Sequence, residues 1–293
     1  MQTRRQFTGT ALAAAGATVP ARGFAAAPTT TAPGWQLGCY TRPWAQHDYR
    51  VALDGIAAAG FKWAGLMTTK SKDNLIISVT STPDEAAAVG AEVKQRGLKV
   101  ISLWGGQFPL DNTDGLKRLI DNSAACGCPH LMLGGTEEKQ AAAYYKIVAD
   151  CCDYAAGKNV GLSVKPHGGN NANGAQCRKI IDHTGHQNFR LWYDPGNIFY
   201  YSDGKLDPVD DAASVDGAVV GMSVKDFRPP KDVDLTPGTG QVDFPKVMAR
   251  LMQGGFTHGP LVVECLAPGD LAHVNAEAAK ARQFLENLTG QKA

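Results

Sequence analysis

Eight short apolar runs recur along this chain, and most give way at the carboxyl end to a polar or charged cluster. They are Trp35–Tyr40, Lys62–Met67, Lys99–Trp104, His130–Gly134, Gly161–Lys165, Phe189–Tyr193, Val219–Lys225 and Pro260–Glu264. Their spacing of roughly thirty to forty residues is that of one strand, one helix and the turns between them. Runs that stay apolar rather than alternating suit parallel strands covered on both faces. The intervening segments carry helical period. Leu116, Leu119, Ile120 and Ser123 share a face after Asn112-Thr113, and Phe244, Val247, Met248 and Leu251 do so after Asp243. Val274, Ala278, Ala281, Leu285 and Leu288 line a final helix. Pro83 before Asp84 and Glu85 marks a helix start. Gly60, Gly97, Gly127 and Gly157 stand in four of the turns that precede strands.

Eight strand–helix units of this length predict a single-domain α/β protein, a (β/α)8 TIM barrel over residues 35–293. A doubly wound open sheet competes, but no Gly-x-Gly-x-x-Gly follows the first strand and no composition break divides the chain. In a barrel every strand's carboxyl end opens on one face, so the functional site is expected there.

The amino terminus has a different character. Thr3-Arg4-Arg5-Gln6-Phe7 precedes a small, weakly apolar run from Thr10 to Val19 and then Ala25-Ala26-Ala27. A basic head, apolar middle and small-residue end predict a signal peptide over residues 1–27, of twin-arginine type, followed by a linker at 28–34. The mature chain is therefore expected in the periplasm or secreted. With 29 basic and 28 acidic residues the formal net charge is +1, which gives no reason to expect nucleic acid or an anionic membrane as partner. No apolar run is long enough to span a bilayer as a mature segment. The seven cysteines leave at least one thiol unpaired within the chain, and Cys126-Gly-Cys128 lacks the spacing of a zinc pair.

The strand ends gather the residues that carry chemistry. Lys165 and His167 follow the fifth run, Asp194 and Asn197 the sixth, Lys225, Asp226 and Arg228 the seventh, and Glu264 closes the eighth; Tyr40, Arg42 and Trp104 come from the first and third. Buried charge is costly unless paired, so its clustering at strand ends points to a site. Plainer readings stand beside this one: an ion pair for Glu264, a turn-forming role for Asp194, a surface pair for Lys225-Asp226 and a backbone contact for His167. Tyr40, Trp44 and Trp104 could face sugar C–H groups or merely roof the barrel. The loop Phe227–Gly240, with its prolines, is expected to be a shaped wall.

Val-Lys-Pro-His-Gly-Gly169, Trp-Tyr-Asp-Pro-Gly-Asn197, Ser-Val-Lys-Asp226 and Leu-Val-Val-Glu264 together resemble the xylose isomerase-like TIM-barrel superfamily of sugar isomerases and epimerases, which also contains endonuclease IV. The resemblance covers roughly residues 35–289. It implies acid/base proton transfer beside a sugar carbonyl, in isomerisation, epimerisation or β-elimination, with a small carbohydrate as partner. It also implies a divalent metal (Mn, Zn, Co or Mg) held by a Glu ending strand five, an Asp ending strand six, a His on strand seven and a Glu ending strand eight. Asp194 and Glu264 match that set; Lys165 stands in place of the first Glu, Ser223 in place of the His, and Asn197 where relatives often carry a histidine.

Three expectations follow. In the first, no metal is needed: Lys165 supplies the positive charge, Glu264 abstracts the proton, Asp194 orients, and His167 or Lys225 returns it, with Tyr40, Arg42, Trp104, Asn197, Asp226 and Arg228 binding substrate. In the second, Asp194, Glu264 and His167 retain a metal. In the third, the barrel binds carbohydrate without turning it over.

Overall fold

A computed structural model describes residues 34–291. The expected signal peptide at 1–27 and nearly all of the linker at 28–34 lie outside the described residues. The described chain is a closed barrel of eight parallel strands in sequence order. The strands are β1 (Trp35–Tyr40), β2 (Trp63–Leu66), β3 (Lys99–Leu103), β4 (His130–Leu133), β5 (Gly161–Val164), β6 (Phe189–Tyr193), β7 (Val219–Val224) and β8 (Gly259–Val263). Residues 35–39 of β1 pair in register with 259–263 of β8, which closes the ring. The flanking helices are α1 (Tyr49–Ala58), α2 (Pro83–Gln95), α3 (Asp114–Ala125), α4 (Ala141–Gly157), α5 (Gly174–Thr184), α6 (Pro195–Tyr201), α7 (Pro208–Asp211), α8 (Phe244–Gln253) and α9 (Leu271–Thr289). No described helix is long and apolar enough to cross a membrane.

Short polar side chains start most of the helices by accepting a backbone N–H that the helix leaves open. Thr82 and Glu85 form a reciprocal capping box on α2, while Asp243 and Asp270 cap α8 and α9. Before α3 the cap differs from the sequence expectation: Thr113 makes no side-chain bond, and Asn112 Oδ1 instead accepts from Asp114 N at 2.8 Å. Gly60, Gly97 and Gly127 hold positive φ ahead of β2, β3 and β4. Gly157 does not, because it is the last residue of α4; the left-handed turn before β5 falls to Asn159, at φ 59°.

Two apolar layers result. Strand residues facing outward pack under the helices, and a smaller cluster of Tyr40, Met67, Ile101, Met132, Trp192 and Val262 fills the barrel. Two glycines make room for its aromatics. A β-carbon on Gly65 would lie 2.2 Å from the Tyr40 ring, and one on Gly221 would lie 2.4 Å from the Trp192 ring. The polar tips of both rings are satisfied inside, Tyr40 OH by Ser102 Oγ at 3.0 Å and Trp192 Nε1 by Ser223 Oγ at 3.2 Å.

Six strands end one residue earlier than their apolar runs. Met67, Trp104, Gly134, Lys165, Lys225 and Glu264 each stand immediately after their strand. Each is the first residue released from the ladder, and the rim is built from these positions.

Candidate active site

At the carboxyl rim the exits of β5, β6, β7 and β8 place Lys165, Asp194, Lys225 and Glu264 side by side, each with a side chain no more than 6% exposed. Lys165 Nζ lies 2.8 Å from Asp194 Oδ2 and bonds Glu264 Oε2. Lys225 Nζ lies 2.6 Å from Glu264 Oε1 and 3.3 Å from Asp194 Oδ2. Two cations thus neutralise two anions, which is what burial at this depth requires. Ser223 Oγ completes the shell by donating to Glu264 Oε2 at 2.6 Å.

Asp194 plays both parts that its sequence context allowed. Its Oδ1 caps α6 by accepting from Asn197 N at 2.9 Å, while Oδ2 meets the ammonium groups. Pro195 starts that helix, and Gly196 must lack a side chain because a β-carbon there would lie 2.7 Å from Lys225 Cγ. Asn197 is also spent: Nδ2 donates to Pro166 O at 2.7 Å and Oδ1 accepts from Lys225 Nζ at 3.1 Å, tying the β5 exit to the β7 exit.

Burial alone would raise the Glu264 carboxyl, but the Lys165 and Lys225 ammonium groups prevail and hold it well below the ordinary carboxylate range. Burial would lower Lys225, and the carboxylates of Asp194 and Glu264 overcome that and push it above the ordinary lysine value. Glu264 and Lys225 are therefore held in their charged forms, with both Glu264 oxygens engaged. His167 differs. It is exposed at the wall of the pocket, its ring meets Tyr201 at 5.6 Å between centroids, and it makes no side-chain hydrogen bond among the described residues. Desolvation in the concavity and the ammonium charges of Lys165 and Lys225 lower its pKa below 6.5, so the ring is uncharged at neutral pH.

Above the cluster lies a cavity of about 480 Å3. Of the residues expected from sequence, Lys165, His167, Lys225, Glu264, Arg42, Trp104 and Asn197 line it, and Asp194 lies fully buried just beneath. Three substrate contacts expected from sequence are not in its wall. Tyr40 is wholly buried in the barrel interior, held by Ser102. Asp226 turns the other way: Oδ1 accepts from Phe227 N and Val242 N, and Oδ2 from Gly238 N and Gly240 N, at 2.8–3.1 Å. Arg228 is exposed and pairs with Asp232 at 2.6 Å. Trp44 is likewise a packing residue, its Nε1 donating to Asn275 Oδ1 at 2.8 Å.

Asp226 thus pins both ends of the loop 227–240, and that loop does wall the cavity, through Lys231 to Asp234. Sequence reasoning missed Thr68, Met132, Tyr200 and Tyr201, also in the wall. The two tyrosines had a readable signal, since they close the short helix that Asp194 starts. The other positive groups are paired as well: Arg42 with Asp234 at 2.8 Å and Lys231 with Asp203 at 2.9 Å.

A family model described as a xylose isomerase-like TIM barrel matches residues 53–288. The chain belongs to this family. Solved structures with the same fold include a xylose isomerase domain protein from Planctomyces limnophilus, at 18% identity and TM-score 0.67, covering 87% of this chain and 98% of that one. D-Psicose 3-epimerase from Clostridium cellulolyticum H10 aligns at 12% identity and TM-score 0.68, covering 87% and 99%. An L-ribulose 3-epimerase aligns at 15% identity and TM-score 0.68, covering 87% and 95%. No curated protein matches the sequence.

Family resemblance implied a divalent metal, and the donor set does not fit one. The two carboxylates that would hold it have ammonium groups against Glu264 Oε1 and Oε2 and against Asp194 Oδ2, and Asp194 Oδ1 is committed to the α6 cap. A cation between them would face two like charges at contact range. Among the described residues no three His, Cys, Asp or Glu side chains converge as ligands, so Asp194, Glu264 and His167 do not form the metal set considered from sequence. All seven cysteines are buried free thiols.

Proposed function

We propose that this protein is an enzyme of the sugar isomerase/epimerase type, moving a proton beside a sugar carbonyl with a lysine pair where family resemblance expected a metal. The observation that carries the reading is the buried quartet of Lys165, Asp194, Lys225 and Glu264 under an open cavity at the carboxyl rim. Membership of the family and the sugar epimerases among its structural neighbours support the substrate class. Because each lysine, arginine and acid in the wall has an opposite partner, the site suits a neutral sugar better than an acidic or phosphorylated one.

The sugar carbonyl oxygen lies over Lys165 and Lys225. As the C–H bond beside the carbonyl breaks, its electron pair moves into the carbonyl and the oxygen becomes an enediolate oxygen, which the ammonium groups stabilise electrostatically. His167, uncharged and unengaged, accepts the proton and, in isomerisation, returns it to the adjacent carbon while the neighbouring hydroxyl proton passes to the former carbonyl oxygen; in epimerisation water protonates the opposite face and the imidazolium neutralises the hydroxide left behind. Glu264, the base expected from sequence, serves instead to hold both lysines, since a carboxylate so strongly stabilised in its charged form is a weak base. Trp104, with Met67 and Met132, presents an apolar wall to the sugar's C–H face. Export of the mature chain to the periplasm or beyond, by a twin-arginine signal at residues 1–27, belongs to the same proposal and would place the substrate outside the cytoplasm.

The test is solvent exchange. The protein is incubated in D2O with EDTA and D-fructose, D-tagatose, D-psicose or L-ribulose, and deuterium next to the carbonyl is read by NMR. Exchange by wild type that is lost in Lys165→Met and in His167→Asn is the expected result. Exchange that requires added Mn2+ would overturn the lysine role, and binding without any exchange would establish the carbohydrate-binding reading instead.

A further inference from the structure

The groups that could exchange a proton with a sugar are not spread evenly around the cavity. His167 comes from the β5 exit and Tyr201 from the end of α6, and their rings lie 5.6 Å apart between centroids. From β1 to β4 the polar side chains that reach the wall are Arg42, Thr68 and Trp104. None of these is an acid or base near neutral pH, since a guanidinium stays protonated, an indole only donates and an alcohol is too weak an acid. Lys231, Asp232 and Asp234 reach the wall from the 227–240 loop, and each is tied by an ion pair, to Asp203, Arg228 and Arg42, at 2.6–2.9 Å.

Tyr201 is placed by its neighbours. Gly168 holds φ of +88°, and a β-carbon there would stand 2.7 Å from Tyr201 Cε1, so glycine admits the ring against the loop that carries His167. That loop is fastened to the floor of the site: Asn171 O accepts from His167 N at 2.8 Å, and Asn171 Nδ2 donates to Lys165 O at 2.7 Å. The Tyr201 ring also meets Tyr200 edge-on, at 5.0 Å between centroids. Its hydroxyl has no hydrogen-bond partner among the described residues. Burial raises that phenol above the ordinary tyrosine value, against the pull of the Lys225 ammonium, so it is protonated at neutral pH.

Epimerisation needs a proton to leave one face of a carbon and another to arrive at the opposite face, and the facing arc holds no side chain to deliver it. Transfer between neighbouring carbons needs one base on one face. It also needs a second transfer, between the two neighbouring oxygens, because the ketose carbonyl becomes a hydroxyl and the adjacent hydroxyl becomes the aldose carbonyl. A neutral phenol that donates to one oxygen and accepts from the other suits that second transfer.

We infer that the reaction is ketose–aldose isomerisation run from one face of the sugar, with His167 moving the carbon-bound proton and Tyr201 the oxygen-bound one. Written from the ketose, His167 takes a proton from the terminal carbon, and the C–H electron pair forms a double bond to the carbonyl carbon, leaving negative charge on the carbonyl oxygen. Tyr201 gives its proton to that oxygen and receives the proton of the terminal hydroxyl, so the phenol ends as it began. The pair left on the terminal oxygen forms the aldehyde carbonyl, and the carbon–carbon pair takes the proton back from His167 at the former carbonyl carbon. Tyr201 is thereby a second catalytic residue. This rests on the roles given above to Lys165 and His167 in a sugar site.

The full-length protein is incubated in D2O with EDTA and D-fructose, D-tagatose, D-psicose or L-ribulose, and NMR locates the deuterium and measures the aldose formed. For at least one sugar, exchange is expected at one of the two hydrogens of the terminal carbon and not at the carbon on the other side of the carbonyl, with the matching aldose appearing. Tyr201→Phe should lower aldose formation about a hundredfold. Exchange at the terminal carbon should stay within about threefold of wild type, with the melting temperature unchanged, a split that loosened packing or weaker sugar binding would not produce. Exchange on the other side of the carbonyl with an epimer as product, or equal changes in both rates in Tyr201→Phe, would overturn the inference and leave the proton-transfer reading standing. Absence of exchange at either carbon in wild type would overturn that reading and the inference with it.

Discussion

The two halves of the barrel rim are made differently. The residues released by β1 to β4 are Thr41, Met67, Trp104 and Gly134, none of them charged; those released by β5 to β8 are Lys165, Asp194, Lys225 and Glu264, all charged and alternating in sign. Alternation around the ring puts each carboxylate within reach of both ammonium groups. The uncharged half supplies shape, with Trp104 and Met67 walling the cavity and Gly134 giving Trp104 and Gln107 room to pack against the β4 exit. A charge in that half would have no opposite neighbour, and an apolar residue in the other would strand a buried ion. The rim is thus divided between an apolar wall and an electrostatic floor.

Breaking the charged half should have the largest effect. Lys165→Met leaves two buried carboxylates facing one ammonium and is expected to lower stability by about 3–5 kcal/mol, read by urea denaturation. Adding Glu264→Leu restores the balance, and the double variant should recover most of that loss; simple addition of the two losses would show that the quartet does not act as a unit. Met67→Leu, the matching change in the uncharged half, should cost less than about 1.5 kcal/mol.

Acid sensitivity sharpens the same contrast. Glu264 has its carboxyl held well below the ordinary 4.5, so its contribution to stability is fully present above that value and is lost as pH falls through the depressed one. Acid titration of Glu264→Gln should therefore show a shallower decline of stability below pH 4.5 than wild type; identical slopes would mean that the carboxyl is not held down.

Neighbouring residues on one loop separate anchor from ornament. Asp226→Asn weakens a carboxylate that accepts four backbone N–H groups, and should cost about 1–3 kcal/mol while raising sugar KM through a loosened wall. The smallest effect belongs to Arg228→Ala, an exposed pair with Asp232, expected to change stability by less than about 0.5 kcal/mol and leave KM unaltered.

Much of this was legible in order of residues. Unalternating apolar runs at barrel spacing required parallel strands, and an Asp, Lys or Glu immediately after such a run had to be either at a site or paired. The outcome at Asp194 was both, because its two oxygens point to different duties, one to the α6 amide and one to the ammonium groups. Lys225 and Asp226 were indistinguishable in the sequence; successive side chains leave a strand on opposite sides, and only the closed barrel decides which side is the cavity.

The sequence by itself determined the barrel, since the period and apolarity of its strands admit few other ways to bury them, and it named the four charges of the rim. Tertiary structure decided what those charges do. Pairing Lys165 with Asp194 and Glu264 joins residues 29 and 99 positions apart, and no local pattern records that the two lysines take up the faces a metal would need. The same holds for the β4 exit, where Gln107 from another loop donates to Gly135 O at 3.0 Å.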